Sequence, residues 1–363
     1  MGGKTHNIPQ QILARIPDVS VEPLYRRWQQ AAEGYKQLCA VAAAVRLGLF
    51  DHLDETRRPE ELASLLGTDS NLTADLCDLL VEMGLLAQEG AGLANTSLSR
   101  TYLHGGSPWF QGAVIDNIFS GFGLWQRMEQ ICREGPIRVD EADFFENNLV
   151  DSLAAEILTG ELQQTIAAVA RQPGFPAVRR ALDLGGGHGL YAMALANQNP
   201  NIEAVVFDFP TVAKDFCRYR QRFGAENVRF VPGNLFADDL GRDFDLVLFS
   251  YNPGGKNEVI LEKIHSCLNR GGLFVTKHAF YRQEERSKSA LLDAEWQLIA
   301  FSGVEKGRNV YAFGGDLSWE AYTERLQQGF VVDEIIDTKE FATPPLAKFG
   351  DRLDSKIIIC RKR

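Results

Sequence analysis

The sequence predicts an α/β protein in which a doubly wound, mostly parallel sheet follows an N-terminal all-α domain of winged-helix type. Three observations carry this prediction. Apolar residues recur at helical spacing through the first third of the 363-residue chain, short apolar strands alternate with amphipathic helices from about residue 180, and a glycine-rich turn follows the first of those strands. We predict two domains, residues 1–105 and residues 106–363.

The composition is that of an ordinary globular protein. Hydrophobic residues make up 45% of the chain and charged residues 24%, which is typical of a protein that buries a core. The formal net charge of −10 disfavours a nucleic-acid partner, because binding to phosphates needs clustered lysine and arginine. No run approaches the roughly 18 apolar residues of a membrane span, and the polar N-terminus lacks a signal-peptide core. We therefore expect a cytoplasmic protein without a membrane partner.

The six cysteines lie far apart in the sequence. They form no C-x-x-C pair and no cysteine–histidine cluster at metal-ligand spacing. Such spacing is typical of reduced thiols in an intracellular protein. We therefore predict neither a disulfide framework nor a bound metal.

The pattern of the N-terminal domain predicts three helices and a hairpin. Residues 35–49 carry apolar side chains every three or four positions, which predicts a long amphipathic helix. A second helix begins at Pro59 and a third follows Asp69, a favoured N-cap residue, and we expect Leu72 among the buried side chains of the third. The segment 85–98 then predicts two strands around a tight turn. This order of elements is that of a winged-helix domain.

A winged-helix domain raises the alternative of a DNA-binding regulator, and the charges of its third helix argue against it. That helix carries Asp75, Asp78 and Glu82 and neither lysine nor arginine, so the phosphates that flank a major groove would repel it. We favour self-association of the chain through this domain. Salt-sensitive DNA binding in a gel shift would favour the regulator instead.

Residues 106–170 are helical in pattern and rich in aromatic side chains. We interpret this segment as a helical connector that also forms a wall of a pocket. The predicted pocket residues are five aromatics, three from this segment and two from later in the chain: Phe119, Phe122, Trp125, Trp296 and Phe301. Phe144 and Phe145 belong to the same aromatic group.

From about Arg180 the chain alternates seven apolar strand segments with amphipathic helices. The strand segments are RALDLGG, EAVVFDF, VRFVPGN, DLVLFSY, GLFVTKH, FVVDEII and SKIIICR. Continuous apolar strands joined by helical crossovers predict a mostly parallel sheet with helices on both faces. Ligands bind beyond the carboxyl ends of such strands, so the residues that follow each strand are the first candidates for a site.

The most informative strand end is ALDLGGGHG, residues 181–189. Its glycines Gly185, Gly187 and Gly189 allow close approach to a ligand and present backbone amides at a helix N-terminus. The dinucleotide fingerprint G-x-G-x-x-G would need glycine at position 190, where this chain has leucine. Asp183 precedes the turn, and a carboxylate there suits the ammonium group of an amino-acid ligand better than it suits a pyrophosphate.

The next two strand ends carry groups that suit a nucleoside. Asp208 ends the second strand, where a carboxylate is placed to accept hydrogen bonds from ribose hydroxyls. After the third strand, Asn234 offers an amide to an adenine edge and Phe236 offers a ring to stack on it. Amino acid, ribose and adenine in this order describe S-adenosylmethionine, which we predict as the cofactor. The remaining predicted cofactor residues are Phe209, Leu235 and Ser250.

With these motifs in order, the chain resembles the class I S-adenosylmethionine-dependent methyltransferases, specifically the plant-type and bacterial small-molecule O-methyltransferases with an N-terminal winged-helix dimerisation domain. AAAVRLGLFDHLDETRRPEELASLLGTDSNLTADLCDLLVEMGLL is similar to that family's N-terminal region. ALDLGGGHG, VFDFPTV and FVPGNLF are similar to its cofactor motifs, so the resemblance covers nearly the whole chain. It implies a Rossmann-like methyltransferase domain, a homodimer formed through the N-terminal domain, and a small-molecule substrate.

The sequence departs from this family at two places. The family usually has an aspartate where this chain has Asn234, and either side chain offers an acceptor oxygen. The family's catalytic histidine, which takes the proton from the acceptor hydroxyl, follows the fourth strand, yet no histidine lies between Ser250 and Asn257. A general base supplies roughly 10²–10⁴-fold in rate, so its loss matters, and the catalytic residue of the family cannot be transferred to this chain.

Several reactions remain open in place of the family's usual one. We favour O-methylation of a small aromatic acceptor with another base or none, and Tyr251 and His278 lie at strand ends on the cofactor side. Asn252 and Pro253 raise N-methylation, because some N-methyltransferases hold the amine with an Asn-Pro-Pro-Tyr-like turn after this strand. C-methylation of an electron-rich ring needs orientation more than a base, and some relatives bind the cofactor without transferring its methyl group. Glu305 weakly resembles a family glutamate that assists the histidine.

Overall fold

A computed structural model describes residues 10–140, 149–252, 254–341 and 355–363. The chain divides into two compact units, Met1–Ser107 and Pro108–Arg363. Among the described residues, no helix combines the length and the apolar character that crossing a membrane requires. Phe144, Phe145 and Pro253, which entered the predictions, lie outside the described residues.

The first unit is built from helices and one two-stranded hairpin. The helices are α1 (Glu22–Arg46), α2 (Pro59–Leu66), α3 (Ser70–Glu82) and α4 (Ser97–Tyr102), and the antiparallel hairpin pairs β1 (Leu86–Glu89) with β2 (Gly92–Asn95). Short 3₁₀ turns cover Gln10–Leu13 and Leu49–His52. The three helices and the hairpin follow one another as the sequence predicts.

Local chemistry fixes the start of α3. The Oδ1 atom of Asp69 accepts hydrogen bonds from the backbone amides of Asn71 and Leu72, at 3.0 and 2.9 Å. These amides have no partner within the helix, because the first turn lacks a preceding carbonyl. Asp69 is therefore the N-cap that the sequence predicts.

Phe50, Leu62 and Leu80 are fully buried in the core of this unit. The prediction that Leu72 is buried is wrong, because its side chain is 69% exposed. It lies in the first turn of α3, and the buried face of that helix instead carries Thr73 and Leu80. An exposed leucine beside a cap residue has the same sequence spacing as a buried one, which explains the error.

The second unit is built on strands in two sheets. The strands are β3 (Ile137–Asp140), β4 (Arg180–Leu184), β5 (Glu203–Asp208), β6 (Val228–Pro232), β7 (Phe244–Ser250), β8 (Leu268–Ala279), β9 (Ile299–Ser302), β10 (Phe330–Asp337) and β11 (Ser355–Lys362). Seven of them form a central sheet in the order β10-β11-β8-β7-β4-β5-β6, while β3 and β9 pair parallel with each other. In the central sheet β11 is antiparallel to both its neighbours and the other pairs are parallel. All seven central strands fall on the predicted segments, which confirms the mostly parallel sheet.

Helices cover both faces of the central sheet. The described helices of the second unit are α5 (Gly112–Trp125), α6 (Met128–Glu134), α7 (Leu149–Ile157), α8 (Glu161–Ala170), α9 (Leu190–Gln198), α10 (Ala213–Phe223), α11 (Glu258–Cys267), α12 (Ala290–Gln297) and α13 (Trp319–Gly329). Leu246 and Leu248 of β7 pack into a core with α8, α9 and α10, while Val247 and Phe249 pack into a second core with α11 and α13. Because alternate residues of a strand point to opposite faces, burial of both faces explains the continuous apolar runs.

Candidate functional site

A cavity of about 580 Å³ lies beyond the carboxyl ends of the parallel strands. Residues at the ends of β4, β5, β6 and β7 and directly after them form one part of its wall: Asp183, Gly185, Gly186, Gly187, Asp208, Phe209, Asn234, Leu235, Phe236, Ser250, Tyr251 and Asn252. Every predicted cofactor residue except Gly189 is in this group. Tyr251 and Asn252, two of the three predicted catalytic residues, are there as well.

The glycine turn after β4 is tied to the strands on either side of it. Gly185 has φ +64°, which favours glycine, and its amide donates a hydrogen bond to the carbonyl of Phe207 at 2.7 Å. On the other side, the Nδ2 atom of Asn252 donates to the carbonyls of Gly185 and Ser250, both at 2.8 Å. A Cβ atom on Gly185 would lie 2.5 Å from the Asn252 side chain. Position 185 therefore requires glycine, and these hydrogen bonds fix the conformation of the turn.

Gly189 has a packing role in the structure instead of a place on the cavity wall. It precedes α9 with φ +74°, and its amide donates to the carbonyl of Gly186 at 2.8 Å. A Cβ atom there would lie 2.8 Å from the ring of Phe216 in α10. Glycine at this position thus permits the start of α9 to lie close to α10.

Two carboxylates, Asp183 buried and Asp208 partly exposed, stand at the ends of β4 and β5. Asp183 is 2% exposed and accepts a hydrogen bond from the amide of Ala192 at 3.2 Å; burial raises its pKa to about 7, and the nearby charge of Asp208 adds to the rise. Asp208 accepts from the amides of Gly187 and Phe209, each at 2.7 Å. Burial raises its pKa to about 6 against the effect of these two amides. A cation bound beside the pair would favour their ionised forms.

The loop after β6 presents an aromatic face to the cavity. The Oδ1 atom of Asn234 accepts from the amide of Phe236 at 2.9 Å, so this oxygen shapes its own loop. The ring of Phe236 is 44% exposed while lining the cavity. Lys263 of α11 donates to the carbonyls of Leu235, Phe236 and Asp238 at 2.8–2.9 Å. The loop is thus anchored with an open ring face, which suits stacking on a flat ligand.

Tyr251 has a strained backbone at the edge of the cavity. Its φ of +55° lies in the left-handed region, which bulky side chains rarely adopt. Its amide donates to the carbonyl of Lys277 at 3.0 Å, and the Lys277 ammonium nitrogen lies 5.1 Å from the ring centroid. Burial raises the pKa of its phenol, so the hydroxyl stays protonated near neutral pH. Strain of this kind concentrates at functional sites.

His188 lines the cavity as a neutral imidazole. Its Nδ1 atom accepts a hydrogen bond from the amide of Leu190 at 3.1 Å. Burial lowers its pKa to about 4, so it carries no charge near neutral pH. The ring lies edge-on to Tyr219, with 6.0 Å between the centroids.

The structure places His278, the third predicted catalytic residue, in the core and away from the cavity wall. Its ring lies edge-on to Phe249 and Phe280, and Gly255 packs so close that a Cβ atom would lie 2.0 Å from the imidazole. Its buried Nε2 atom has no hydrogen-bond partner among the described residues. Burial lowers its pKa well below the usual value, with Lys256 adding to the effect. Strand alternation explains the location, since Lys277 points to the opposite face of the sheet.

The five predicted pocket aromatics are not among the described residues that line the cavity. Phe119 contacts Phe122 at 6.0 Å between ring centroids, and the Trp125 Nε1 atom donates to Glu295 at 3.0 Å. Trp296 packs against Phe301 and against Phe313, and Phe313 itself reaches the cavity. Trp296 and Phe301 therefore support the wall from behind.

Two parts of the wall were missed by the sequence predictions. Aliphatic residues of α7, the last residues of β3 and β9, and the loop between β9 and α13 supply them: Asp140, Val150, Leu153, Ile157, Ser302, Gly303, Val304, Glu305, Phe313 and Gly314. Asp140 pairs with Ser302 in the β3–β9 register. Within this part of the wall, Glu305 is the residue that the sequence marks, through its weak resemblance to a family glutamate.

Two family models match this chain. An O-methyltransferase domain matches residues 140–312, and an O-methyltransferase dimerisation domain matches residues 29–105. The first includes the strand ends that line the cavity, and the second includes most of the first structural unit.

Similar proteins match over most of the chain. The uncharacterized protein MJ0086 of Methanocaldococcus jannaschii is 29% identical over 97% of this chain and 100% of its own length. The N,N-dimethyltransferase OxyT of Streptomyces rimosus is 26% identical over 68% of this chain and 76% of its own. The crystal structure of human N-acetylserotonin methyltransferase in complex with SAM matches with a TM-score of 0.67 and 21% identity, covering 96% of this chain and 99% of that one. This last likeness shows the fold.

Proposed function

We propose that the chain is a member of the O-methyltransferase family whose domain and dimerisation models match it, and that it transfers a methyl group from S-adenosylmethionine to a small aromatic acceptor. The observation that carries the proposal is the meeting of four strand ends in one cavity. Carboxylates at two of them and an open aromatic ring at the third suit the amino-acid, ribose and adenine parts of the cofactor in order.

Each residue of this wall has a role in the proposal. The carboxylate of Asp183 receives the ammonium group, and that of Asp208 receives the ribose hydroxyls. Asn234 and Phe236 hold and stack the adenine. The backbone of the Gly185–Gly187 turn, which allows close approach of a ligand, and the Ser250 strand end complete the contacts. The cofactor supplies an activated methyl group on a positively charged sulfur, and the two carboxylates favour a ligand of that charge.

The acceptor side of the site works mainly by orientation. Tyr251, held by the carbonyl of Lys277, faces the cavity from the end of β7. Aliphatic residues of α7 and the ring of Phe313 give an apolar wall that suits a flat acceptor. Holding the acceptor in line with the methyl group supplies much of the rate for such a transfer. We favour a hydroxyl as the acceptor group.

Asn252 supports N-methylation as a second candidate. Both hydrogens of its amide are used on the carbonyls of Gly185 and Ser250, which leaves the Oδ1 atom as an acceptor on the cavity wall for an amine N–H. Pro253, the other half of the predicted turn, lies outside the described residues. C-methylation and cofactor binding without transfer remain as the other outcomes of the acceptor experiment below.

The cofactor assignment is tested by calorimetry with S-adenosylmethionine. We expect the wild type to bind and Asp208→Ala to lose at least tenfold in affinity. Glu203→Ala is the matched control, because Glu203 begins the same strand at its exposed, opposite end. Absence of binding by the wild type, or equal affinity for Asp208→Ala, would contradict the assignment.

The reaction is tested with methyl-labelled cofactor and a panel of phenols, aromatic amines and electron-rich rings. Label on a phenol oxygen supports O-methylation, label on nitrogen supports the second candidate, and label on carbon supports C-methylation. Binding without labelled product across the whole panel would show a relative that binds the cofactor and does not transfer methyl.

We also propose a homodimer formed through the first unit. The dimerisation model matches residues 29–105, and the exposed large hydrophobic residues of α1 include Leu24, Tyr25 and Trp28. Residues at these spacings share one face of a helix. An apolar face of this kind is typical of a protein–protein interface, and a second copy of the chain is the partner that a dimerisation domain implies.

A further inference from the structure

A buried ion pair lies between α8 and β8, in contact with a residue of the cavity wall. Lys277 is 1% exposed, and its ammonium group contacts the carboxylate of Glu161. Removing two charges from water is costly, and a buried pair is weak evidence for a stabilising role. Neither residue has a part in the proposed cofactor site, so the pair needs another explanation.

Tyr191 connects this pair to the cavity. Its hydroxyl accepts a hydrogen bond from the Lys277 Nζ atom at 3.0 Å and lies 3.4 Å from the Glu161 Oε1 atom, to which it donates. Tyr191 belongs to the cavity wall. Among the described residues of that wall, it is the one whose hydroxyl bonds to both members of a buried ion pair. Tyr191 thus connects the cavity to a buried carboxylate.

We propose that Tyr191 and Glu161 form a proton relay that replaces the base absent from the loop after β7. The proposal rests on the proposed methyl transfer. As the acceptor oxygen bonds to the methyl carbon, the carbon–sulfur bond breaks and its electron pair stays on sulfur. The acceptor proton passes to the Tyr191 oxygen while the Tyr191 proton passes to the Glu161 carboxylate. Tyr191 is the catalytic residue of this relay, and Glu161 and Lys277 are positioning residues.

The ion pair also provides a way to reset the relay. Once Glu161 is neutral, the Lys277 ammonium is an uncompensated buried charge and releases its proton to solvent. The amine then takes the proton from Glu161, which restores the pair. Burial lowers the pKa of Lys277 well below its usual value, in agreement with this release. Burial raises the pKa of Tyr191, so its phenol passes a proton on and does not hold the negative charge.

Other titratable groups lie close to the relay and affect its pH dependence. The charge of Asp183 and the phenol of Tyr251 act on Tyr191, and His278 lies near the charge of Lys277. The ring of Tyr251 lies over Lys277. The pKa of Asp183, about 7, lies close to the pH at which turnover is measured. The variants are therefore compared above pH 8, where Asp183 is ionised.

The first test compares turnover of a phenol by the wild type, Glu161→Gln and Tyr191→Phe. We expect kcat to fall about 10²-fold in each variant, with no further loss in the double variant because both act in one step. Affinity for S-adenosylmethionine by calorimetry should not change in Glu161→Gln. The control is Thr276→Val, since Thr276 is buried next to Lys277 and bonds Tyr322 on the opposite face. It should keep wild-type kcat.

The second test varies the acidity of the acceptor. A nitrophenol, largely ionised at the assay pH, needs no base, so Glu161→Gln should lose much less activity on it than on a methoxyphenol. An equal loss on both would overturn the relay, as would wild-type kcat in either variant. If Glu161→Gln does not fold, Tyr191→Phe carries the same comparison. A wild type that methylates no panel member contradicts the proposed function, whereas an active wild type with unaffected variants contradicts the relay alone.

Discussion

At the scale of single residues, Asp183 carries a charge that the folded chain disfavours. Burial raises its pKa from 3.8 to about 7, so between these values the folded chain binds a proton that the unfolded chain lacks. Stability from this group is therefore present below about pH 4 and is lost as the pH rises through 7. Asp183→Asn removes the buried charge, and we expect the free energy of unfolding without cofactor to rise by about 1–3 kcal/mol at pH 8.

Urea denaturation at pH 8 and at pH 4 measures this gain, which should vanish at the lower pH. Asp245→Asn is the matched control. Burial alone would raise the pKa of Asp245, but hydrogen bonds from Asn269 and from the amides of Arg179 and Arg180 lower it. The Asp245→Asn substitution should therefore not raise the free energy of unfolding. Loss of stability in Asp183→Asn at pH 8 would show that the buried charge is already compensated in the folded chain.

The same two carboxylates predict how cofactor binding depends on pH. Asp183 and Asp208 must be ionised to receive an ammonium group and to accept from ribose hydroxyls most strongly, and their pKa values are raised to about 7 and about 6. The affinity for S-adenosylmethionine should fall as the pH decreases from 8 to 5. Calorimetry across this range checks it, with Asp208→Asn expected to flatten the lower part of the profile. Constant wild-type affinity over the range would contradict the assigned roles.

At the scale of elements, the segment between β7 and α11 is held by close contacts that sequence spacing does not reveal. A Cβ atom on Gly255 would lie 2.0 Å from the His278 ring, so Gly255→Ala overpacks the core and should cost about 1–3 kcal/mol. His278→Ala in the same chain should recover part of the loss by making room. Thermal unfolding of the single and double variants measures the coupling.

Gly123→Ala is the control for this substitution. Gly123 lies inside α5 with no neighbour within 4 Å of a Cβ atom, so alanine there should stabilise the chain by about 0.5–1 kcal/mol through helix propensity. If Gly255→Ala were as harmless as Gly123→Ala, His278 would have room to move. The core around the β7 end would then be looser than these contacts indicate.

The sequence predicts best those elements whose apolar pattern matches their burial in the folded chain. The central strands are buried on both faces, so runs such as DLVLFSY are apolar throughout and easy to locate. The strands β3 and β9 have four residues each and are partly exposed, and such short segments resemble loops. Strand ends before a helix also mark the cofactor side of the cavity. The acceptor side comes from the aliphatic face of α7 and from the 302–305 loop, which no short motif marks.

At the scale of the whole chain, the position of a strand in the sheet is decided by contacts distant in sequence. The order of β4, β5 and β6 follows from right-handed crossovers. By contrast, β11 lies between β8 and β10 and runs antiparallel to both. Its segment, SKIIICR, reads like any other buried strand. The local pattern therefore predicts that this segment is a strand. Its position and direction in the sheet depend on which sheet edge is still unpaired.

Self-association is the property of the whole chain that the exposed face of α1 predicts. Trp28 is 60% exposed and contacts the ring of Tyr25, so Trp28→Glu places a charge where little packing of the single chain is lost. Burying that charge against a partner is costly, and we expect the variant to be a monomer under conditions where the wild type is a dimer. Light scattering coupled to size exclusion measures the mass of each.

Phe223→Glu is the matched control, because Phe223 is an exposed aromatic at the end of α10, in the second unit. It should leave the wild-type mass unchanged. Calorimetry with S-adenosylmethionine on the Trp28→Glu monomer then separates association from cofactor binding. Every described residue of the proposed cofactor wall belongs to the second unit of one chain, so the monomer should keep the wild-type affinity. A dimeric Trp28→Glu would move the interface away from this face of α1.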